Sequence, residues 1–351
     1  VFDGSSTVYD GAGEVVTRAA AFREELLVVD VQAVERPVSG EVVAVTGPRP
    51  PRGLQPPPPL APALDQLEEL WAALVLGTRD YVTKNGFSEA VVGLSGGIDS
   101  SLVAAVAVDA LGPDNVHGVL MPSRFSSEHS LTDARDLSEN LGIEHRVVPI
   151  EPAHAAFAEM LAPSFAGLTP DVTEENVQSR IRGLLIMALS NKFGWIVLTT
   201  GNKSESAVGY TTLYGDTAGG FAVIKDVPKL MVYELCRHRN TVAGRELIPE
   251  NVLTKPPSAE LRPDQRDDQS LPPYKELDPI LEAYVELDRT ADEIVAEGHD
   301  PQIVARITRL VDIAEYKRRQ SPPGPRVTSK AFGKDRRLPI TNRYRGYPPP
   351  T

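Results

Sequence analysis

Three segments in direct succession constrain the fold of this 351-residue chain most strongly: a short apolar run, a loop of glycine and serine, and a longer apolar run. The first run is Ala-Val-Val-Gly-Leu at residues 90–94, and the loop Ser-Gly-Gly-Ile-Asp-Ser follows at residues 95–100. A short apolar run without polar alternation predicts a strand that is buried on both faces, as in parallel sheets. The longer run predicts a helix over residues 100–111 that ends at Gly112.

The same alternation of strands and helices continues along the chain. Strands are predicted at residues 116–121, 145–150 and 195–200, and helices at residues 131–141, 153–161 and 177–192. An amphipathic helix is predicted from residue 64, because apolar residues recur there at helical spacing. Strands that alternate with helices predict an α/β fold, a doubly wound parallel sheet with helices on both faces. Beyond Asp226 the pattern is mainly helical, with a polar, proline-rich segment at residues 256–273.

The amino-terminal part has a different character. Residues 6–10 and 14–18 flank Gly11-Ala12-Gly13 and predict a β-hairpin, and residues 25–31 predict a third strand. Residues 47–62 contain eight prolines and predict an extended linker. We therefore expect three parts: the last strands of a larger domain (1–46), a linker (47–63) and an α/β domain (64–351).

Composition narrows the classes of function. With 36 Lys and Arg against 48 Asp and Glu, the formal net charge is −12, which argues against a general nucleic-acid or membrane-surface binder. The apolar runs are far shorter than the roughly 20 residues that a membrane-spanning helix needs. Cys236 is the single cysteine and has no catalytic motif around it, so we expect a core thiol and a reducing, cytoplasmic setting.

The loop between the first strand and helix has the chemistry of a phosphate site. Glycine lets the backbone approach an anion closely, serine supplies hydroxyl donors, and the following helix start offers free amides. Asp99 would repel a phosphate unless a Mg²⁺ ion lies between them. The alternative is an ordinary turn in which Asp99 caps the helix. The sequence of the loop matches neither a Walker A motif nor a dinucleotide fingerprint.

This loop resembles that of the ATP pyrophosphatase superfamily, whose members cleave ATP between its α- and β-phosphates. Three further segments are similar to glutamine-dependent NAD synthetases: residues 175–182, residues 198–220, and Ser-Lys-Ala-Phe at 329–332 together with Arg-Tyr-Arg at 343–345. The resemblance covers residues 64–345. It implies ATP-dependent amidation of deamido-NAD to NAD through an acyl-adenylate, with ammonia as nitrogen donor, Mg²⁺ as cofactor and a homo-oligomeric assembly. Two alternatives are another adenylating amidotransferase, such as a GMP synthetase, and a non-catalytic nucleotide sensor.

The resemblance also implies roles for particular residues. Asp99 and Glu205 would bind Mg²⁺. The positions implied for ATP are Gly93, Leu94, Ser95, Gly96, Gly97, Ile98, Asp99, Ser100, Thr200, Lys229 and Ser258. The positions implied for deamido-NAD are Asn176, Arg180, Glu205, Tyr210, Thr211, Thr212, Leu213 and Lys330. Arg180 and Arg182 are two residues apart on a predicted helix and therefore cannot both face one ligand.

Some of these residues also have simpler interpretations. Glu205 could be a first-turn helix carboxylate, Thr200 a strand-end hydroxyl and Lys229 a surface lysine. The prolines at 322–325 predict an extended tail, and its basic residues suggest either a flap that brings Lys330 to the acceptor or a solvated terminus.

Residues 1–35 resemble the last strands of a nitrilase-like glutaminase domain. The Glu-Lys-Cys triad of such a domain would lie upstream of them, and residues 1–235 contain no cysteine. We therefore expect this polypeptide to use ammonia directly rather than to hydrolyse glutamine.

Overall fold

The computed structural model of the protein describes residues 1–31 and 56–341. The described residues fall into two compact units, the smaller within Phe2–Ala73 and the larger within Leu74–Thr351. Residues 32–55, with most of the predicted linker, lie outside the described residues, as does the Arg-Tyr-Arg segment at 343–345.

The smaller unit contains the predicted hairpin. Strands β1 (Thr7–Tyr9) and β2 (Val15–Arg18) pair antiparallel, and the Asp10 carboxylate accepts the backbone N–H groups of Ala12 and Glu14 in the turn, at 2.9 Å each. The prediction of a third strand at residues 25–31 is wrong, because these residues form no strand. Its apolar residues Leu26 and Val28 are 89% and 71% exposed, and no described strand runs beside it to exchange backbone hydrogen bonds.

A five-stranded parallel sheet forms the centre of the larger unit. Its strands are β3 (Ala90–Gly93), β4 (Val116–Leu120), β5 (Glu144–Val147), β6 (Ile196–Thr199) and β7 (Phe221–Ala222). They lie in the order β5-β4-β3-β6-β7, and every pair is parallel. Strands β3 and β6 are buried on both faces, as their continuous apolar sequences predict. The order reverses between β3 and β6, which confirms the doubly wound α/β fold.

Helices connect and cover the strands. These are α1 (Gln66–Lys84), α2 (Ile98–Leu111), α3 (Glu128–Leu141), α4 (Glu151–Leu161), α5 (Val172–Phe193) and α6 (Lys203–Val208). Most residues of helix α2 are buried, as its largely apolar sequence requires. The helix ends at Gly112, as predicted. Asp171 begins α5 with a capping box.

The carboxyl-terminal part is helical, as predicted. It comprises α7 (Lys229–Ala243), α8 (Glu250–Thr254), α9 (Tyr274–Leu281), a π-helical turn (Glu282–Glu286), α10 (Ala291–Ala296), α11 (Pro301–Ile313) and α12 (Glu315–Arg318). Helices α6, α9 and α11 share an apolar core, and residues 322–327 after α12 form neither helix nor strand. Cys236 is fully buried, which confirms the core thiol, and burial raises its pKa. Among the described residues, no helix has the length and apolarity to span a membrane.

Candidate active site

A cleft opens at the carboxyl ends of β3, β4 and β6, where the strand order reverses. This is the place where open α/β sheets bind ligands. The cleft has a volume of about 960 Å³, near the upper end of the roughly 300–1,000 Å³ typical of ligand pockets. It can therefore hold nucleotide-sized substrates.

The loop after β3 depends on a glycine at position 96. Gly96 has a φ of +75°, and a Cβ atom there would lie 2.1 Å from the carbonyl oxygen of Ser130. Gly97 is the N-cap residue of helix α2 and has no side chain to cap the helix. The first-turn amides of α2 thus remain available to an anion, as the sequence predicts.

Two of the serines do not offer their hydroxyls to a phosphate. Ser100 and Ser101 donate to the Gly97 carbonyl oxygen at 3.0 and 2.8 Å, so they hold the loop itself in shape. Ser95 accepts the Gly97 N–H at 3.1 Å and faces the cleft. Asp99 is not the helix cap, because Gly97 occupies that position.

Asp99 and Glu205 share one buried ammonium. Lys229 Nζ lies 2.5 Å from Asp99 Oδ2 and 3.1 Å from Glu205 Oε1. Lys229 is 2% exposed, so the interpretation as a surface lysine is wrong. Burial opposes its charge, but the attraction of Asp99 and Glu205 outweighs burial and raises the pKa of Lys229. Burial raises the pKa of Glu205 to about 7, against the opposing effect of Lys229.

One amide side chain links the Asp99 carboxylate to the backbone of Glu205. Asn202, fully buried, donates from Nδ2 to Asp99 Oδ1 at 2.9 Å and accepts the Glu205 N–H at 2.9 Å as the N-cap of α6. Glu205 therefore does lie in a first helical turn, but it also faces the cleft and Lys229. The sequence did not single out Asn202, which lies beside the predicted Glu205.

The two carboxylates fit a Mg²⁺ site that substrate oxygens would complete. Mg²⁺ is commonly bound by one or two carboxylates together with phosphate oxygens and water. Within residues 1–31 and 56–341, no group of three His, Cys, Asp or Glu side chains forms a metal cluster, so an ion here would depend on substrate oxygens. Asp99, Glu205 and nearby Asp267 outnumber Lys229, which leaves negative charge for a cation to neutralise.

Several residues predicted for substrate contact line the same cleft. Asn176 accepts a hydrogen bond from Thr212 Oγ1 at 2.9 Å. Ser258 Oγ donates to the Gln265 carbonyl oxygen at 2.6 Å, so that hydroxyl shapes its own turn. The other cleft-lining residues that the sequence predicted are Gly93, Leu94, Gly97, Ile98, Ser100, Thr200, Tyr210 and Thr211, whereas the predicted Gly96 does not line the cleft.

The two arginines of α5 diverge, as their spacing predicts. Arg182 lines the cleft, donates to the Met121 carbonyl oxygen at 3.0 Å, and has a pKa that burial lowers to about 10. Arg180 is exposed and donates to the Leu213 carbonyl oxygen at 3.2 Å, and neither of these two residues lines the cleft. The structure thus places Arg182, rather than the predicted Arg180, at this cleft.

The lysine predicted in the tail lies elsewhere. Lys330 forms an ion pair with Asp288 and does not line the cleft, because that pair holds its side chain away. Lys317, at α12, lines the cleft instead. Its ammonium donates to the carbonyl oxygens of Gly209 and Thr211 at 2.8 and 2.7 Å, and no motif in the sequence had indicated it.

The proline-rich segment also contributes residues that sequence reasoning missed. Residues 255–262 and 264–267 line the cleft. Glu260 accepts hydrogen bonds from the hydroxyls of Ser127 and Ser130 at 2.7 and 2.8 Å, which attaches the segment to α3. Asp267 is 5% exposed and accepts a hydrogen bond from Tyr274 at 3.1 Å; burial raises its pKa.

Comparison with known proteins agrees with this architecture. Residues 70–321 match the model of the NAD synthase family. The chain belongs to the NAD synthase family. It is 49% identical to the glutamine-dependent NAD(+) synthetase of Thermotoga maritima over 98% of this chain and 62% of that protein. It thus spans about three fifths of the length of this relative.

Two solved structures are similar to the chain. The glutamine-dependent NAD+ synthetase of Acinetobacter baumannii in complex with ADP is 43% identical, with a TM-score of 0.65 over 97% of this chain and 59% of that one. The NMN synthetase of Francisella tularensis is 29% identical, with a TM-score of 0.60 over 72% of this chain and 95% of that one.

Proposed function

We propose that this chain is an NAD synthetase that amidates deamido-NAD through an acyl-adenylate, using ATP and ammonia. The observation that carries the proposal is the Asp99–Lys229–Glu205 bridge beside the uncapped start of α2. It combines free amides, a fixed ammonium and two carboxylates where triphosphate, Mg²⁺ and acceptor would meet. Family membership supports the same reaction class.

In the first step, a carboxylate oxygen of deamido-NAD attacks the α-phosphorus of ATP, and pyrophosphate leaves. The free first-turn amides of α2 and the ammonium of Lys229 offset the negative charge that builds up on the phosphates. A Mg²⁺ ion bound by Asp99 and Glu205 would supply further charge neutralisation. We assign the Thr200 and Ser258 positions to the ATP side of the cleft.

In the second step, ammonia attacks the acyl carbon, and AMP leaves with the oxygen that came from the carboxylate. A free carboxylate would have to expel oxide, whereas the adenylate provides a stable leaving group. We assign the acceptor to the wall formed by Asn176, residues 210–212 and Lys317. The segment at residues 255–267 covers this part of the cleft and would help to keep water from the adenylate.

A panel of acceptors tests the proposal. The purified chain is incubated with ATP, Mg²⁺ and ammonium chloride, and with deamido-NAD, nicotinate mononucleotide or xanthosine monophosphate in turn. We expect NAD, AMP and pyrophosphate in equal amounts with deamido-NAD. Amidation of nicotinate mononucleotide alone would match the name of the Francisella tularensis relative instead. Amination of xanthosine monophosphate would favour a GMP synthetase and contradict the proposal.

The same preparation tests two further proposals. Light scattering would show a mass above that of one chain if the protein forms the homo-oligomer that the resemblance implies. Replacing ammonium by glutamine, with free ammonia scavenged, should stop NAD formation if this polypeptide uses ammonia directly. Sustained turnover with glutamine would overturn that part.

A further inference from the structure

A lysine stands at the start of α6, where a helix disfavours a positive charge. Lys203 is the first residue of the helix that carries Glu205, and the amino end of a helix stabilises anions rather than cations. Its side chain is only 4% exposed. A buried ammonium in this position needs strong partners, because an unpaired buried charge is very costly.

Lys203 has such partners on three other segments. Its Nζ lies 3.0 Å from Asp226 Oδ1 and 2.8 Å from Glu286 Oε1. It also donates to Thr328 Oγ1 at 2.6 Å and to the Lys330 carbonyl oxygen at 2.9 Å. None of these partners lines the cleft, so the cluster lies outside the site described above.

Asp226 attaches the tail from the other side. Its carboxylate accepts the backbone N–H groups of Val327 and Thr328 at 2.9 Å each, together with the Thr328 hydroxyl. Ser329 adds a hydrogen bond to Glu286 at 2.8 Å. Residues 327–330, named here the tail clamp, are therefore bound to Lys203, Asp226 and Glu286 at once.

The clamp joins α6 and the start of α7, the two elements that supply Glu205 and Lys229 to the cleft. Glu205 follows Lys203 by two residues on α6, and Lys229 follows Asp226 by three residues at the start of α7. The Lys203 N–H also donates to the Val227 carbonyl oxygen at 2.9 Å, so the two segments are already in contact.

We propose that Lys203 is a positioning residue: it fastens the tail clamp to α6 and to the start of α7, and thereby holds Lys229 between Asp99 and Glu205. This inference rests on the proposed function for its effect on catalysis. The tail then acts through the alignment of the site rather than as a flap that touches the acceptor. Misplacement of reacting groups by about 1 Å can cost about 10²-fold in rate, so the clamp should affect turnover strongly.

Three variants separate alignment from folding. Lys203→Met removes the ammonium, so the carboxylates of Asp226 and Glu286 lose the positive charge that they share. Lys203→Met with Glu286→Gln removes one charge of each sign, which restores the net charge of the cluster but not the link to the tail. Thr328→Val removes only the hydroxyl that bridges Lys203 and Asp226 and keeps both charges. Lys192→Met, at an exposed lysine of α5, is the matched control.

The expected result is a loss of kcat at nearly constant KM. NAD formation should fall by about 10²-fold in both Lys203 variants and by about 10-fold in Thr328→Val. The double variant should regain much of the melting temperature that Lys203→Met loses, without regaining turnover. Recovery of melting temperature and turnover together would overturn the proposal, as would wild-type kcat in Thr328→Val.

A measurement without substrates distinguishes this inference from the proposed function. Trypsin should cut after Lys330 faster in the Lys203 and Thr328 variants than in wild type or Lys192→Met. If wild type forms no NAD while the variants release the tail, the proposed function fails and the clamp stands. If wild type forms NAD and cleavage is the same in all proteins, the clamp is wrong.

Discussion

The carboxylate of Asp99 accepts hydrogen bonds from two neighbouring side chains. Its Oδ2 pairs with Lys229 and its Oδ1 accepts from Asn202, so both oxygens are held in fixed directions at the loop. Removing its charge should weaken the hold on Lys229 and on a Mg²⁺ ion at the same time.

Asp99→Asn keeps the size of the side chain and removes the charge. We expect a loss of at least about 10²-fold in NAD formation, the scale seen when one electrostatic stabiliser is removed. The rate is measured over a Mg²⁺ titration, with Asp136→Asn, at an exposed carboxylate of α3, as the control. Near-normal turnover at low Mg²⁺ would mean that Asp99 is only structural.

In the absence of Mg²⁺, the titration of Glu205 should make the free energy of unfolding of the protein depend on pH. Burial raises the pKa of Glu205 from 4.5 to about 7, so the folded protein binds this proton more tightly than the unfolded chain does. The stabilisation from protonation is complete below about pH 4.5 and is lost as the pH rises through about 7.

Comparing wild type with Glu205→Gln, which cannot titrate, isolates this effect. Without Mg²⁺, the free energy of unfolding of wild type should fall relative to that of Glu205→Gln as the pH rises from about 4.5 to about 7. Urea unfolding at several pH values measures it. A difference that does not change with pH would show that folding leaves the pKa of Glu205 unchanged.

At the scale of elements, the turn from β3 into α2 depends on Gly96, and Gly86 provides a matched control. Both have positive φ, +75° and +85°, but a Cβ atom at Gly86 would meet no atom within 4 Å. Gly86→Ala should cost about 1–2 kcal/mol from backbone strain alone. Gly96→Ala should cost about 1–3 kcal/mol more, because the Cβ collides with Ser130. Equal costs in urea unfolding would mean that the loop moves away freely.

The sequence predicted the long elements well because their burial is continuous or periodic. Residues 90–94 and 100–111 were placed to within a few residues by their apolar runs. The two-residue strand β7 and the six-residue helix α6 carry too few residues for either period to show. The segment at 25–31 has strand composition, but a strand also needs a neighbour, which composition does not reveal.

At the scale of the whole molecule, the cleft combines residues that are distant in sequence. The loop could be predicted because it lies between a buried strand and an apolar helix, and Glu205 because residues 198–220 resemble those of a known family. Asp267 and Lys317 could not, since tertiary hydrogen bonds rather than a periodic pattern bring them there. The ion pair of Lys330 could not be predicted for the same reason, because its acidic partner Asp288 is 42 residues away along the chain.

Among the residues that the structure describes, those that line the cleft lie between Gly93 and Lys317. The proposed catalytic domain, residues 64–351, should therefore form NAD from ammonium at a rate comparable to that of the whole chain. Assays of the two polypeptides at equal concentration check this, and circular dichroism serves as the folding control. A well-folded domain without activity would show that residues 1–63 contribute to the reaction.

In the proposed reaction, the carboxylate of the acceptor forms a bond to the α-phosphorus of ATP within the cleft. Deamido-NAD with both carboxylate oxygens replaced by ¹⁸O is converted with unlabelled ATP and ammonium, and the products are analysed by mass spectrometry and ³¹P NMR. We predict one ¹⁸O atom in AMP and none in pyrophosphate, because the oxygen that attacks phosphorus leaves with AMP. Unlabelled AMP, or ¹⁸O in a phosphate released from the γ-position, would contradict it.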